Sequence, residues 1–245
     1  MILFATPMYG GQCTEPFSHS KDRTVLELEK VGIGWDWLTE RNESLVHRAR
    51  MEMTATFLRR SEFSHLFWID ADMDWEPEHV AALWNLNADV AVGLYSMKRP
   101  DMPLSAWKDG RLVRIEDCPK EPFEVDYAGT GFMLISRKAI EAIIERLTAR
   151  FARCQAFAKT LRHHFVMTED EVPFLAGMLD HFAPDWEGAG GRRVPALFMT
   201  PIHNDGLESE DFHFSRIARE AGFKVIADPS IKLGHWGLTR YGHVS

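Results

Sequence analysis

The stretch from His65 to Asp74 (HLFWIDADMD) constrains the fold most, because an apolar run ends abruptly in acids at alternate positions. Runs such as residues 66–69 are typical of buried strands in parallel sheets. Open α/β sheets bind their ligands at the carboxyl ends of their strands, where Asp70 and Asp72 fall. The pattern therefore predicts a strand that delivers carboxylates to a ligand site.

Strand and helix patterns alternate along the first hundred residues. Apolar or aromatic runs at 2–6, 35–38, 65–69 and 88–94 predict strands. Helical spacing of apolar residues predicts helices over 21–31, 42–60 and 77–86. Asn42 is the expected cap of the second helix, and Pro77 suits the first turn of the third. Strands that alternate with helices in this way pair in parallel through right-handed crossovers.

The chain beyond residue 100 is less regular. We expect short strands over 111–115 and 123–127, a buried strand over 132–135, and helices from 137 into the 150s and over 169–181. Ser136 is the expected cap of the first of these helices. The glycine-rich segment 185–193 predicts a mobile loop. We predict a single α/β domain over 1–245, with a mixed, mainly parallel sheet flanked by helices.

Composition and charge exclude several classes of protein. Hydrophobic residues make up 45% of the 245 residues and charged residues 26%, as in an ordinary soluble globule. The formal net charge of -8 gives no attraction to a phosphate backbone, so nucleic-acid binding is not expected. Three scattered cysteines predict a reducing compartment, and no segment has the length of a bilayer span. We expect a cytoplasmic protein without a transmembrane segment, and the oligomeric state stays open.

The acids at the end of the third predicted strand offer a metal site. Asp70 and Asp72 point to the same side of an extended chain. Two such carboxylates can hold Mg²⁺ or Mn²⁺ and leave coordination positions for water and phosphate oxygens. The alternative is that these acids form only a solvated strand end before the next helix.

A second cluster of chemically active residues lies late in the chain. Glu210 and Asp211 fall in the first turn of a predicted helix that Gly222 ends. These two acids either compensate the helix dipole or supply a general base that projects into a cleft. His235, between glycines just after a predicted strand, is either a structural histidine or a neutral imidazole ligand that completes the metal site.

Taken together, these motifs resemble those of the GT-A glycosyltransferases, especially the family 2-like group with many bacterial and phage members. The resemblance covers nearly the whole chain and is weakest at 150–195. The matching segments stand in the family's order at 2–7, 67–73, 93–99, 129–134, 209–214 and 228–237.

The resemblance implies a hexosyltransferase-type enzyme that moves a sugar from a nucleoside-diphosphate-sugar, most often a UDP-sugar, to a glycan or other hydroxyl-bearing acceptor with inversion. Residues about 1–100 would bind the donor and about 101–245 the acceptor. It implies Mn²⁺ or Mg²⁺ on Asp70, Asp72 and His235, and Asp211, or else Glu210, as the base. The implied donor-binding residues are Thr6, Pro7, Tyr9, Arg50, Asp70 and Lys98. The implied acceptor-binding residues are Trp107, Gly129, Thr130, Gly131 and Trp236.

Two other functions are compatible with parts of this pattern. A phosphatase of the haloacid-dehalogenase type also uses Asp-x-Asp after an apolar strand, with the first acid, here Asp70, as nucleophile. That motif normally lies near the N-terminus and is paired with a late Gly-Asp-x-x-x-Asp, which this chain lacks. A non-catalytic module that binds a nucleotide-sugar is the other alternative, and turnover would separate it from an enzyme.

Overall fold

The computed structural model of the chain describes residues 1–164, 185–187, 193–203 and 206–242. Its helices are α1 (Glu15–Val31), α2 (Val46–Arg59), α3 (Pro77–Asn85), α4 (Arg137–His164) and α5 (Glu210–Glu220). Its strands are β1 (Ile2–Pro7), β2 (Trp35–Glu40), β3 (His65–Ile69), β4 (Met73–Asp74), β5 (Val90–Gly93), β6 (Ala106–Lys108), β7 (Arg111–Leu112), β8 (Phe123–Val125), β9 (Tyr127–Ala128), β10 (Phe132–Ser136), β11 (Asp185–Glu187), β12 (Arg193–Pro195), β13 (Ile202–His203), β14 (Gly206–Leu207), β15 (Val225–Asp228), β16 (Gly234–Trp236) and β17 (Arg240–Gly242).

A seven-stranded sheet in the order β2-β1-β3-β10-β5-β15-β8 forms the centre of the fold. Strands β2, β1, β3, β5 and β15 run in one direction, and β10 and β8 run against them. This arrangement confirms the predicted α/β class with a mixed, mainly parallel sheet flanked by helices. Two three-stranded sheets, β17-β16-β4 and β7-β6-β9, stand beside it.

Strand β3 is buried on both faces, as its continuous apolar sequence predicts. Leu66 and Trp68 pack into one hydrophobic cluster with α2, α4 and α5, whereas Phe67 and Ile69 pack into the other with α1 and α3. Successive side chains of a strand point to opposite faces, so this strand contributes to both layers of the core. The acids that follow it are thereby held at a fixed position.

Two helices begin at different residues from those predicted. Helix α1 starts at Glu15 rather than near 21, because Thr14 Oγ1 accepts a hydrogen bond from the Phe17 amide (3.3 Å). The predicted cap Asn42 is wrong, since α2 starts at Val46. The carboxylate of Glu40 accepts hydrogen bonds from the amides of residues 41 and 42 instead, and this keeps them in a loop. The predicted cap of α4 is confirmed, since Ser136 Oγ accepts from the Ala139 amide (3.1 Å).

Strands from both predicted halves of the chain interleave in the central sheet, because β10 lies between β3 and β5. The donor and acceptor halves stay a prediction about function. The ends of segment 185–193 pair as the hairpin β11-β12, which corrects the prediction of a loop throughout. The predicted helix over 169–181 and residues 188–192 lie outside the described residues. Among the helices described, none combines the length and apolarity needed to cross a bilayer.

Candidate functional site

A cavity of about 450 Å³ lies at the carboxyl ends of β1 and β3. Pro7, Tyr9, Asp70 and Asp72 line it, so four residues predicted to bind donor or metal meet at one place. Thr6 does not reach it, because its side chain is buried and its Oγ1 accepts a hydrogen bond from Trp37 Nε1 (3.0 Å). Because the Thr6 side chain has no exposed surface, it cannot make the predicted contact with a nucleobase in this structure.

Arg50 joins the two acidic clusters. Its Nη2 donates a hydrogen bond to Asp70 Oδ1 (2.8 Å), and its Nε lies 3.8 Å from Glu210 Oε1. The side chain is 2% exposed and lies over the Trp68 ring. Burial acts to lower the pKa of Arg50, but the negative charges of Asp70 and Glu210 outweigh it and raise that pKa. Arg50 therefore stays charged inside the protein.

The guanidinium of Arg50 is only partly satisfied. Its Nε and Nη1 are buried and have no hydrogen-bond partner among the described residues. A buried donor without a partner costs about 1–3 kcal/mol, so each such group in a native structure calls for an explanation. The buried guanidinium therefore has unused hydrogen-bonding capacity next to Asp70 and Glu210.

Asp72 lies between Lys98 and His235. Lys98 Nζ contacts Asp72 Oδ2 (2.5 Å), and His235 Nε2 lies 3.7 Å from Asp72 Oδ1. His235 Nδ1 is 3.0 Å from the Ser96 carbonyl oxygen, which can only accept, so Nδ1 carries a proton. Nε2 is therefore the nitrogen that faces Asp72; it points an N–H at the carboxylate when the ring is protonated and offers a lone pair to a cation when the ring is neutral. Burial acts to raise the pKa of Asp72, but His235 and Lys98 outweigh it and hold that pKa below its ordinary value.

Two of the three predicted metal ligands, Asp72 and His235, lie close together. Within the described residues, no group of three His, Cys, Asp or Glu side chains is close enough to hold a metal. Asp72 and His235 nevertheless converge, and a carbonyl bond that orients a histidine is typical of metal ligands. The third predicted ligand, Asp70, turns one oxygen to Arg50, and its metal role stays a prediction.

Asp74 holds the hairpin that carries His235. Its carboxylate accepts hydrogen bonds from the Gly234 amide (3.0 Å), Trp236 Nε1 (2.5 Å) and Arg240 Nε (2.8 Å). Burial acts to raise the pKa of Asp74, but these donors outweigh it and lower that pKa. The third acid after β3 is therefore a structural clamp. Trp236 is half-buried with its indole N–H bound to Asp74, and its stacking role stays a prediction.

Asp211 and Glu210 have different surroundings in the first turn of α5. Asp211 Oδ1 accepts hydrogen bonds from the Ser209 hydroxyl and the Phe212 amide (2.8 Å). Burial, followed by the neighbouring charge of Glu210, raises the pKa of Asp211 above its ordinary value. Glu210 is instead the acid nearer Arg50. Of the two, Asp211 is the acid whose pKa is raised, and the choice between them as general base stays a prediction.

Tyr95 packs among the site residues, although it is not one of those predicted from the sequence. The Gly131 amide donates to its Oη (3.3 Å), and its ring packs edge-on against His235, with the centroids 5.0 Å apart. Burial raises the pKa of Tyr95, so the phenol is neutral. A Cβ at Gly129 or Gly131 would overlap the Tyr95 hydroxyl. The pair of glycines could have indicated a large side chain packed against that backbone.

The predicted acceptor residues lie in two environments. Gly129, Thr130 and Gly131 are buried, the two glycines against Tyr95, and the contact of all three with an acceptor stays a prediction. Trp107 is half-buried and belongs to an aromatic cluster with Tyr127 and Phe212. The Phe212 ring lies 4.5 Å from Trp107 and 4.9 Å from Tyr127 between centroids. Phe212 directly follows Asp211, so this cluster stands next to one of the two predicted bases.

Comparison with known proteins bears on the fold. No family model matches the chain, and no curated protein matches its sequence. The crystal structure of A197 from STIV is 18% identical, covers 96% of this chain and 85% of its own, and has a TM-score of 0.51.

Two more distant structures match about half of the chain. A glycosyltransferase involved in the glycosylation of the major capsid of PBCV-1 is 12% identical and covers 57% of this chain and 62% of its own, with a TM-score of 0.34. The inositol-1-phosphate CTP transferase from T. maritima is 11% identical and covers 56% and 71%, with a TM-score of 0.31. Both are too distant to carry an argument, whereas the likeness to A197 supports the α/β fold over nearly the whole chain.

Proposed function

We propose that the chain is a glycosyltransferase that uses a divalent metal ion to move a sugar from a nucleoside diphosphate to an acceptor hydroxyl. The observation that carries this proposal is the position of Arg50 between the two acidic clusters. Its guanidinium lies 2.8 Å from Asp70 and 3.8 Å from Glu210. The acids that follow β3 and the acids that open α5 therefore belong to one site beside one cavity.

The cavity is suited to the nucleotide of the donor. Its volume of about 450 Å³ is typical of small-molecule sites, and Pro7 and Tyr9 offer apolar and aromatic surface to a base. Asp72 and His235 would hold the metal ion, which would neutralise charge on the leaving diphosphate. Lys98 and Arg50 supply further positive charge. UDP is the proposed nucleotide, because UDP-sugars are the most frequent donors in the family that the sequence resembles.

Asp211 is the proposed general base. Its Oδ1 is held by Ser209 and the Phe212 amide, which leaves Oδ2 to meet an acceptor hydroxyl. The hydroxyl gives its proton to Oδ2 while its oxygen bonds to the anomeric carbon of the donor. The bond from that carbon to the diphosphate oxygen breaks, and its electron pair stays on the diphosphate. Attack from the face opposite the leaving group inverts the anomeric configuration.

The aromatic cluster of Trp107, Tyr127 and Phe212 is the proposed acceptor surface. Tryptophan and tyrosine combine an apolar face with a polar edge, so they suit ligands that alternate C–H and O–H groups, such as sugar rings. The ion pair of Asp126 with Arg219 (2.8 Å) lies beside Tyr127 and adds charged hydrogen-bonding groups at the edge of this surface. A glycan acceptor fits this combination.

The test is the release of free nucleoside diphosphate from a panel of sugar donors with Mn²⁺ or Mg²⁺. Slow hydrolysis of the donor by water allows the assay to run before the acceptor is known. We expect release from one donor, loss of release with EDTA, and loss in Asp72→Asn. Asp101→Asn is the matched control, because Asp101 is a surface acid paired with Arg99 (3.1 Å) away from these side chains.

Three outcomes would contradict the proposal. Full activity of Asp72→Asn in EDTA would remove the metal from the mechanism. Tight binding of the nucleotide without turnover of any donor and glycan acceptor would indicate a non-catalytic binding module. Hydrolysis of simple phosphate esters that Asp70→Asn abolishes would indicate a phosphatase with an aspartyl nucleophile.

A further inference from the structure

Lys98 forms an ion pair with one oxygen of Asp72, the carboxylate proposed to bind the metal ion. Its Nζ lies 2.5 Å from Asp72 Oδ2, while the other oxygen faces His235 Nε2 at 3.7 Å. The side chains of Lys98 and Asp72 are 33% and 36% exposed, so dissolved ions can reach their contact. A metal ion bound through Asp72 and His235 would lie next to this ammonium group and be repelled by it.

The aliphatic part of Lys98 lies along the hairpin that carries His235. A Cβ at Gly237 would stand 3.4 Å from Lys98 Cδ, which is ordinary van der Waals distance. The neighbouring Arg99 has a different partner, since its Nε contacts Asp101 at 3.1 Å. Of these two adjacent cations, Lys98 is therefore the one directed at the site.

In the absence of a ligand, the two acids that follow β3 are each paired with a cation. Asp70 faces Arg50 at 2.8 Å and Asp72 faces Lys98, so each acid already has a cationic partner. A free divalent ion therefore meets, at Asp72, a carboxylate that an ammonium group already neutralises. A diphosphate would bring negative oxygens to the same place. The ammonium of a lysine is a point charge on a flexible four-carbon chain, so it can move from a carboxylate to a phosphate.

We propose, on the basis of the function proposed above, that Lys98 competes with the divalent ion for Asp72 until a nucleoside diphosphate draws the ammonium group away. The metal ion and the nucleotide then enter the site together, and each raises the affinity for the other. Lys98 thus has two roles, as an internal cation in the free protein and as a phosphate ligand in the complex.

The experiment measures Mn²⁺ binding by the signal of free Mn²⁺ in electron paramagnetic resonance, with and without UDP and with no sugar present. Without UDP, Lys98→Met should bind Mn²⁺ about tenfold more tightly than the wild type, a change in the usual range of coupling between sites. The factor by which UDP raises Mn²⁺ affinity should fall by about the same amount. Arg99→Met is the matched control, because it removes a neighbouring charge without touching Asp72, and it should behave as the wild type.

The outcomes separate this inference from the proposed function. Equal Mn²⁺ affinity of the wild type and Lys98→Met without UDP, together with Mn²⁺ binding in its presence, would overturn the competition and keep the metal-dependent enzyme. If Arg99→Met gained as much Mn²⁺ affinity as Lys98→Met, the effect would come from the loss of any nearby positive charge, and this result would also overturn the competition. Absence of Mn²⁺ binding by every variant with UDP would contradict the proposed function itself. Lys98→Gln is the second neutral variant, and thermal unfolding checks that each variant is folded.

Discussion

Glu210 Oε1 lies 3.8 Å from Arg50 Nε, whereas the adjacent Asp211 turns its carboxylate to Ser209 and to the backbone of α5. Two neighbouring acids in one helical turn therefore face different partners. Glu210 is in a position to hold Arg50, and through it Asp70, while Asp211 keeps an oxygen free of these contacts. From the sequence alone, either acid could hold Arg50 or act as the base. The different contacts of Glu210 and Asp211 distinguish these two roles.

Asp211→Asn should lower kcat by about 10²–10⁴-fold, which is the usual contribution of general acid–base catalysis. Affinity for the donor should change little, because the amide keeps the size of the side chain and the proposed donor contacts lie elsewhere. The measurement is nucleoside-diphosphate release with acceptor, together with calorimetric titration of UDP. Glu210→Gln is the comparison, and a larger loss of kcat in that variant than in Asp211→Asn would reverse the assignment.

The same Asp211→Asn variant should be more stable than the wild type at neutral pH, by about 0.5–2 kcal/mol in free energy of unfolding. Burial and Glu210 raise the pKa of Asp211 in the folded state above the ordinary 3.8, so folding opposes its ionisation. The penalty is absent below the unfolded pKa, where both states are protonated, and grows as pH rises through the folded pKa. Urea unfolding of both proteins at pH 3.5 and pH 7 tests this, and an equal difference at the two pH values would contradict it.

Glu210→Gln should move the acidic limb of the pH–kcat profile to lower pH. The negative charge of Glu210 raises the pKa of Asp211, so its removal makes Asp211 a stronger acid that ionises earlier. We expect a decrease of kcat at the optimum of less than about tenfold, since Asp70 still contacts Arg50. The pH profile of kcat at saturating donor is the measurement. An unmoved limb with a lower plateau would instead indicate that Glu210 acts only through packing.

The parts of the fold that were predicted correctly are those that depend on residues close together in the sequence. The run after His65 is apolar enough to be buried on both faces, and helix α3 begins at Pro77 as its N-terminal signals indicate. The position of β10 between β3 and β5 could not be predicted, because antiparallel insertion depends on pairing with distant strands. The cap at Asn42 failed for a local reason, since the carboxylate of Glu43 accepts a hydrogen bond from the Leu45 amide, which a cap at Asn42 would have used.

The candidate site, too, was predicted only where local sequence determines it. The position of Asp70 and Asp72 at the end of a strand follows from their sequence, but their cationic partners lie 20 and 26 residues away, respectively. Tyr95 has the sequence signal of an ordinary core aromatic and becomes part of the site only through packing against Gly129 and Gly131. Such contacts connect distant segments, and a single sequence does not record them.

Gly129→Ala should destabilise the protein by about 1–3 kcal/mol, the usual cost of adding a methyl group to a filled interior. The added Cβ would overlap the Tyr95 hydroxyl, which also accepts a hydrogen bond from the Gly131 amide (3.3 Å). Tyr95→Phe removes that oxygen, so the double variant should lose less stability than the two single changes added together. Chemical unfolding of the four proteins measures the coupling. Strict additivity would indicate that the cost arises from backbone changes at residue 129 and not from contact with Tyr95.

Asp74→Ala should weaken metal binding although Asp74 is not a proposed ligand. Asp74 holds Gly234, Trp236 and Arg240, and His235 lies between these anchors on β16. Loss of a residue that orients a metal ligand usually costs about 10–100-fold in metal affinity, and the lost hydrogen bonds should also lower stability by about 1–3 kcal/mol. Mn²⁺ titration in the presence of UDP is the measurement, at a temperature where thermal unfolding shows the variant folded. Asp101→Ala is the control for a surface acid, and equal Mn²⁺ affinity of the two variants would mean that His235 keeps its place without the clamp.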